Sequence, residues 1–238
     1  MADHKYTSIF FDADDTILDF RRSATVALQQ TLEEHELPVT EESLEIYHRI
    51  NHDVWLAFER KKITAPELRL LRFERFLDAI GEYREPELLS RRYLHLLSQS
   101  CIFIDGATEV LDELKSRGFR LALITNGLKE VQRPRFANAR MEQWFDTIVI
   151  SDEIGVAKPD KRFFDHAFEQ AGQPGVSESL VVGDSLQSDI QGGNSYGVDT
   201  AWFNPDNKEN LSGHRPKYEV SNYRQLMSLI FGNEDQGR

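Results

Sequence analysis

The sequence predicts an α/β protein in which a parallel sheet with helices on both faces is interrupted by an inserted helical unit. Two features predict it. From Gly106 onward, short runs rich in β-branched and aromatic residues alternate with amphipathic stretches that end in glycine, and strands alternating with helices of this length join in parallel through crossovers. Between the first such run and Gly106, residues 21–105 hold no convincing strand but several stretches with apolar residues at helical spacing.

Ser8–Phe11 is the first buried strand. Arg21–His35 reads as a helix, and Thr40 can cap a second in which Leu44, Tyr47, Val54, Trp55 and Phe58 recur on one face. Thr64 with Glu67 forms a capping box for a third helix, and Pro86 opens a fourth. Hinges near Phe20–Arg21 and Ile104–Gly106 then divide the chain into an α/β core, 1–20 and 106–238, and a helical domain, 21–105. In the core, Ala107–Arg117 carries Val110, Leu111 and Leu114 on one face before Gly118, and Arg162–Ala171 carries Phe163, Phe164, Ala167 and Phe168 before Gly172. Asp189–Tyr196 before Gly197 is a shorter helix, and Arg120–Thr125, Thr147–Ser151, Leu180–Gly183 and Thr200–Phe203 are the remaining strands. Gly232–Arg238 is a polar tail expected to fray. Sheets of this kind place their sites beyond the carboxyl ends of the strands.

The 28 Lys and Arg residues stand against 40 Asp and Glu, a formal charge of −12, which opposes binding to nucleic acid or to anionic membrane. No apolar run approaches the roughly 20 residues that cross a bilayer, so the chain is expected to be soluble, unexported and cytoplasmic, a monomer or a weak homodimer. Cys101 is the only cysteine, which excludes an intramolecular disulfide and a cysteine metal cage.

Chemistry concentrates at four strand ends. Asp12-Ala13-Asp14-Asp15-Thr16 follows the first strand directly, three carboxylates in four residues. Like charges this close raise one another's pKa unless a cation or a chemical role compensates them, and a hard divalent ion takes oxygen ligands. An Asp-rich turn accounts for the same residues. Thr125-Asn126-Gly127 supplies a hydroxyl, an amide and a glycine suited to phosphate oxygens, and equally to an ordinary polar turn. Lys158 stands beside Pro159, with Asp160 placed to cap the next helix. Asp184 and Asp189 are delivered after the fourth strand.

Taken in order, an acidic pair, a Thr, a Lys and a second acidic pair, each at a strand end, resemble the four motifs of the haloacid dehalogenase-like superfamily. The resemblance covers essentially the whole chain, because the helical insert looks like that family's type 1 cap. It implies a Rossmann-like sheet with an inserted α-helical cap domain, and a phosphoryl-transfer site in which Asp12 is the nucleophile and Asp14 the general acid and base. Thr16 would hold the loop in shape. Mg²⁺ would be bound by the Asp12 carboxylate, the Asp14 backbone carbonyl and Asp184, with Asp189 as a further ligand or behind them. Thr125 and Asn126 would bind phosphoryl oxygens, and Lys158 would neutralise their charge. Dehalogenases of the superfamily lack the acid two residues after the nucleophile, so Asp14 favours phosphate esters.

The segments Asn51-His52-Asp53-Val54-Trp55 and Lys62-Ile63-Thr64, with the core motifs, look like the bacterial pyrimidine 5′-nucleotidase branch. The expected partner is therefore a small phosphate ester, a nucleoside monophosphate such as dUMP, dTMP or UMP, with Trp55 stacking on a base and Asn51 meeting its edge. The same spacing suits Trp55 to packing the bundle, and Asn51 to the surface. A sugar-phosphate phosphatase, a phosphomutase, a 2-haloacid dehalogenase and a non-catalytic binding protein are the alternatives. His48 and His52 have metal-pair spacing without a third ligand and read as a solvated face.

Overall fold

The computed structural model describes residues 4–232. Beyond Gly232, the frayed tail expected from the sequence lies outside the described residues. The chain forms two compact units. One runs to Asp19, resumes over Ile102–Gly127 and continues from Arg140; the other comprises Phe20–Cys101 and Leu128–Ala139.

The first unit is built on β1 (Ser8–Phe11), β2 (Arg120–Thr125), β3 (Thr147–Ile150), β4 (Ser179–Gly183), β5 (Asp199–Phe203) and β6 (Tyr218–Val220). They form one sheet in the order β3-β2-β1-β4-β5-β6, and every adjacent pair is parallel. Alternation along a strand splits the side chains between two faces. Phe10, Ala122, Ile124, Val149 and Val181 share a core with Phe163, Phe164, Ala167 and Phe168, and Phe10 stacks on Phe168 with centroids 4.4 Å apart. The opposite residues, among them Ile9, Phe11, Leu121, Leu123, Leu180 and Val182, are fully buried as well, as a parallel sheet covered on both sides requires.

In chain order the helices are α1 (Phe20–Glu34), α2 (Glu41–Glu59), α3 (Ala65–Ile80), α4 (Pro86–Gln99), α5 (Ala107–Ser116), α6 (Lys129–Asn138), α7 (Ser151–Ile154), α8 (Lys161–Gln170), α9 (Gln191–Tyr196) and α10 (Tyr223–Phe231). Helices α1 to α4 match the four read from the sequence, and the expected capping box is present: Thr64 N–H donates to Glu67 Oε2 at 2.7 Å. Their shared core holds Leu28, Leu32, Tyr47, Phe73, Phe76 and Tyr93.

Helix α6 departs from the expected division. Residues 128–139, which the sequence assigns to the α/β core, group with the helices: Leu128 and Val131 enter the helical core, Arg69 forks onto Glu130 at 2.6 and 3.0 Å, and Arg135 Nε donates to Ser100 O at 3.1 Å. A proline inside the helix, Pro134, and few apolar residues hide this face from a periodicity reading. No helix among the described residues is long and apolar enough to cross a membrane.

Candidate active site

The strand order reverses at the centre of the sheet. The chain lays β2 and β3 to one side of β1, then β4, β5 and β6 to the other, and connections that leave in opposite directions open a crevice at the carboxyl ends of β1 and β4. Asp12 continues the ladder one residue past the Phe11–Val182 pair, its N–H donating to Val182 O at 2.8 Å. Asp184 follows β4 directly, and the Trp202 indole donates to its carbonyl at 2.8 Å. Thr125 closes β2 and is buried.

Lys158 joins these strand ends. It lies after α7 and before α8, followed by a cis peptide bond to Pro159. Its ammonium is 1 % exposed and spends its three donors on Asp12 Oδ1 at 2.6 Å, Asp189 Oδ1 at 2.6 Å and Ile124 O at 2.8 Å. Asn126 holds the Lys158 backbone from both sides: its Nδ2 donates to Lys158 O at 2.9 Å, and its Oδ1 accepts from Lys158 N–H at 2.8 Å. The amide expected on phosphoryl oxygens is thus committed to positioning the lysine.

Asp189 does not open a helix as expected. It sits in a π-helical turn, Leu186–Ile190, with α9 beginning only at Gln191. The reason is electrostatic. Its two oxygens are held apart by Lys158 Nζ and by Ser185 N–H, the latter at 3.1 Å, and a widened turn is a recurrent device where a side chain must be re-aimed. Gly183 makes room for it, since a Cβ there would lie 2.2 Å from Asp189 Oδ2. Ser185 and the Ile124 carbonyl were not legible as site groups, because both act through backbone atoms; Gly183 before an Asp was a visible hint.

Asp12 and Asp189 therefore share one ammonium, with the Asp184 carboxylate close by. Burial, then the Asp189 and Asp14 charges, push the Asp12 carboxyl up to about 8 against the pull of Lys158. Burial and repulsion from Asp12 and Asp189 hold Asp184 well above the ordinary aspartate value. Burial opposes charge on Lys158, yet Asp12 and Asp189 keep its pKa above that of a free lysine. Oxygens of Asp12, Asp184 and Asp189 lie within 4.8 Å of one another, so the site has the donor set of a hard divalent cation and the negative charge that such an ion offsets.

The loop after Asp12 is a tight turn. Ile17 and Leu18 N–H both donate to Ala13 O at 3.0 and 2.8 Å, and Asp15 N–H donates to Leu18 O at 2.7 Å, with Asp15 in the left-handed region at φ 55°. Asp14 is half-buried beside it. The Thr16 hydroxyl, expected to hold the loop, is buried without a hydrogen-bond partner; the Thr16 carbonyl instead accepts from the Tyr223 hydroxyl.

Asn51 and Trp55 belong to the helical unit. Trp55 is half-buried against its core, edge-on to Phe58 at 5.7 Å, and Asn51 Oδ1 accepts from Arg72 Nη1 at 3.4 Å. His48 and His52 are exposed, the solvated face expected.

Comparison with known proteins agrees with this geometry. A family model described as haloacid dehalogenase-like hydrolase matches residues 6–197. The pyrimidine 5′-nucleotidase PynA of Streptococcus pneumoniae is 35 % identical over 96 % of each chain, and the pyrimidine 5′-nucleotidase YjjG of Escherichia coli is 34 % identical over 95 % of this chain and 98 % of that one. A crystal structure of the HAD-hydrolase YfnB of Bacillus subtilis, bound to magnesium, superposes with a TM-score of 0.89 at 35 % identity, covering 96 % of this chain and 99 % of that one.

Proposed function

Because the chain belongs to the haloacid dehalogenase-like hydrolases and is a phosphatase among them, we propose that it is a magnesium-dependent phosphomonoesterase, acting through an aspartyl-phosphate on Asp12 as a 5′-nucleotidase of pyrimidine nucleoside monophosphates. The observation that carries the chemistry is the buried Lys158 shared between Asp12 and Asp189, with Asp184 close by. The likeness to two pyrimidine 5′-nucleotidases over nearly the full chain supports the substrate class.

Asp12, Asp184 and the Asp14 backbone carbonyl would hold the magnesium, with Asp189, whose oxygens are already engaged, behind them. Bound there, the ion offsets the charges of two approaching anions, carboxylate and phosphate. Lys158 occupies Asp12 Oδ1, so Oδ2 forms the bond to phosphorus as the ester bond breaks. Asp14 gives its proton to the leaving alkoxide, then takes one from the water that cleaves the acyl phosphate and restores Asp12. The Thr125 hydroxyl and the Asn126 backbone N–H bind phosphoryl oxygens, while Lys158 limits the charge gathering on them. The helical unit serves as the cap that reads the leaving group, with Trp55 and the Asn51 amide as its contacts.

A phosphate-release screen over UMP, dUMP, dTMP and sugar phosphates, with and without Mg²⁺, tests this reading. Turnover should require the metal, favour the pyrimidine nucleotides and vanish in Asp12→Asn. Faster turnover of sugar phosphates than of every nucleotide would overturn the substrate class and leave the mechanism standing.

A further inference from the structure

We infer that Tyr223 is a positioning residue for the nucleophile loop, holding the Asp12–Leu18 turn from outside so that Asp14 stands ready to protonate the leaving group. The inference rests on the acid role proposed for Asp14.

The turn is tied at its base by Ile17 and Leu18 N–H donating to Ala13 O, and across by Asp15 N–H donating to Leu18 O; the contact of Tyr223 reaches it at the next residue, Thr16. The Thr16 hydroxyl there is buried and unpaired, and the residue before it, Asp15, holds a left-handed backbone that a non-glycine residue keeps only when its surroundings fix it. The Tyr223 hydroxyl donates to Thr16 O. A buried phenol that finds one acceptor, and a buried carbonyl that finds one donor, make this a specified contact, since leaving either unmade is costly.

Everything around Tyr223 fixes where its hydroxyl falls. Its ring stacks on Phe203 with centroids 4.9 Å apart and passes within 3.5 Å of the Cβ position of Gly106. It is the first residue of α10, whose start is set by Asn222 accepting from Gln225 N–H at 3.0 Å and by Ser221 N–H donating to Gln225 Oε1 at 2.8 Å. Strand β6, which leads into this cap, is paired to β5. These elements all lie beyond residue 197, where the family match ends. The donor half of the contact thus lies outside the matched region, and its acceptor, Thr16, inside it.

Tyr223→Phe removes the donor and keeps the ring. General acid catalysis matters most when the leaving group is a poor one, and supplies ~10²–10⁴ in rate. Tyr223→Phe should therefore slow the first turnover, release of the nucleoside from UMP and dUMP before the aspartyl-phosphate is hydrolysed, by roughly tenfold, a part of that contribution. The first-turnover release of p-nitrophenolate, which leaves without a proton, from p-nitrophenyl phosphate should change by less than about twofold; hydrolysis of the aspartyl-phosphate, which also uses Asp14 and is common to both substrates, follows that phase. Phe203→Leu, which loosens the same packing but keeps the O–H, should lower the melting temperature and leave the ratio between the two substrate classes as it is. Equal losses of this first-turnover rate on both classes, or no loss on either, would overturn the inference. Asp14→Asn is the control. If its first turnover fails to show the same leaving-group selectivity, the acid role itself is wrong; if it shows it and Tyr223→Phe does not, only the role of Tyr223 falls.

Discussion

Asp184 is surrounded by charges of its own sign, and its burial makes that repulsion felt. Replacing it by Asn should raise the melting temperature of chelator-treated protein by ~2–4 °C, the shift that ~1 kcal/mol produces in a chain of this size, and should abolish the stabilisation by added Mg²⁺. A lower melting temperature would contradict the repulsion, and Mg²⁺ stabilisation that survives the substitution would contradict a metal at this carboxylate. Asp12 adds a pH dependence. It titrates at about 8 in the folded protein against 3.8 for an ordinary aspartate, so across that window the folded state keeps a proton that the unfolded chain has lost. Metal-free stability should accordingly fall as pH rises from about 5 to about 8. The stabilisation by Mg²⁺ should grow over the same range, because the metal competes with that proton; melting curves at several pH values with and without the metal measure both trends.

Among the elements, the end of β4 is the tightest join. Gly183→Ala would drive a methyl group into the Asp189 carboxylate, which cannot yield without releasing Lys158 or Ser185 N–H. We expect kcat to fall by roughly 100-fold, as for a catalytic group misplaced by about 1 Å, in a protein that still unfolds cooperatively; near-normal kcat would show that the π turn relaxes without cost. The elements that carry these residues were legible because each is a short apolar run ending in a charged or hydroxyl residue: Asp12, Thr125 and Asp184 each fall at a strand end that the sequence marks. Lys158 was legible only through its order among them. What stayed hidden did so for physical reasons. β6 spans three residues, Tyr218–Val220, with one fully buried, too short to alternate, and α10 follows it without a preceding strand signal. The Asn126 amide had a donor and an acceptor to offer, and nothing in the sequence shows that both go to the Lys158 backbone rather than to a ligand.

Over the whole molecule, a sheet that winds outward from β1 in both directions explains how residues as distant in sequence as Asp12 and Asp189 converge, and a net charge of −12 leaves the attraction of an anionic substrate to local groups and a bound cation. The two-unit division was legible from the switch in apolar periodicity after β1, but the membership of α6 was not, because that helix is separated by sequence from the helices it joins. Its packing sets a rule for recombining relatives of this protein. The helical unit is not a cassette bounded by Phe20 and Cys101, for its core also takes Leu128 and Val131, and its surface takes Glu130 through Arg69. A chimera that exchanges only residues 20–101 transplants four helices onto a foreign fifth, and should melt below both parents. Carrying residues 128–139 across with them should recover the loss, and a donor segment in two pieces is therefore the smallest heritable unit through which this helical domain can be traded.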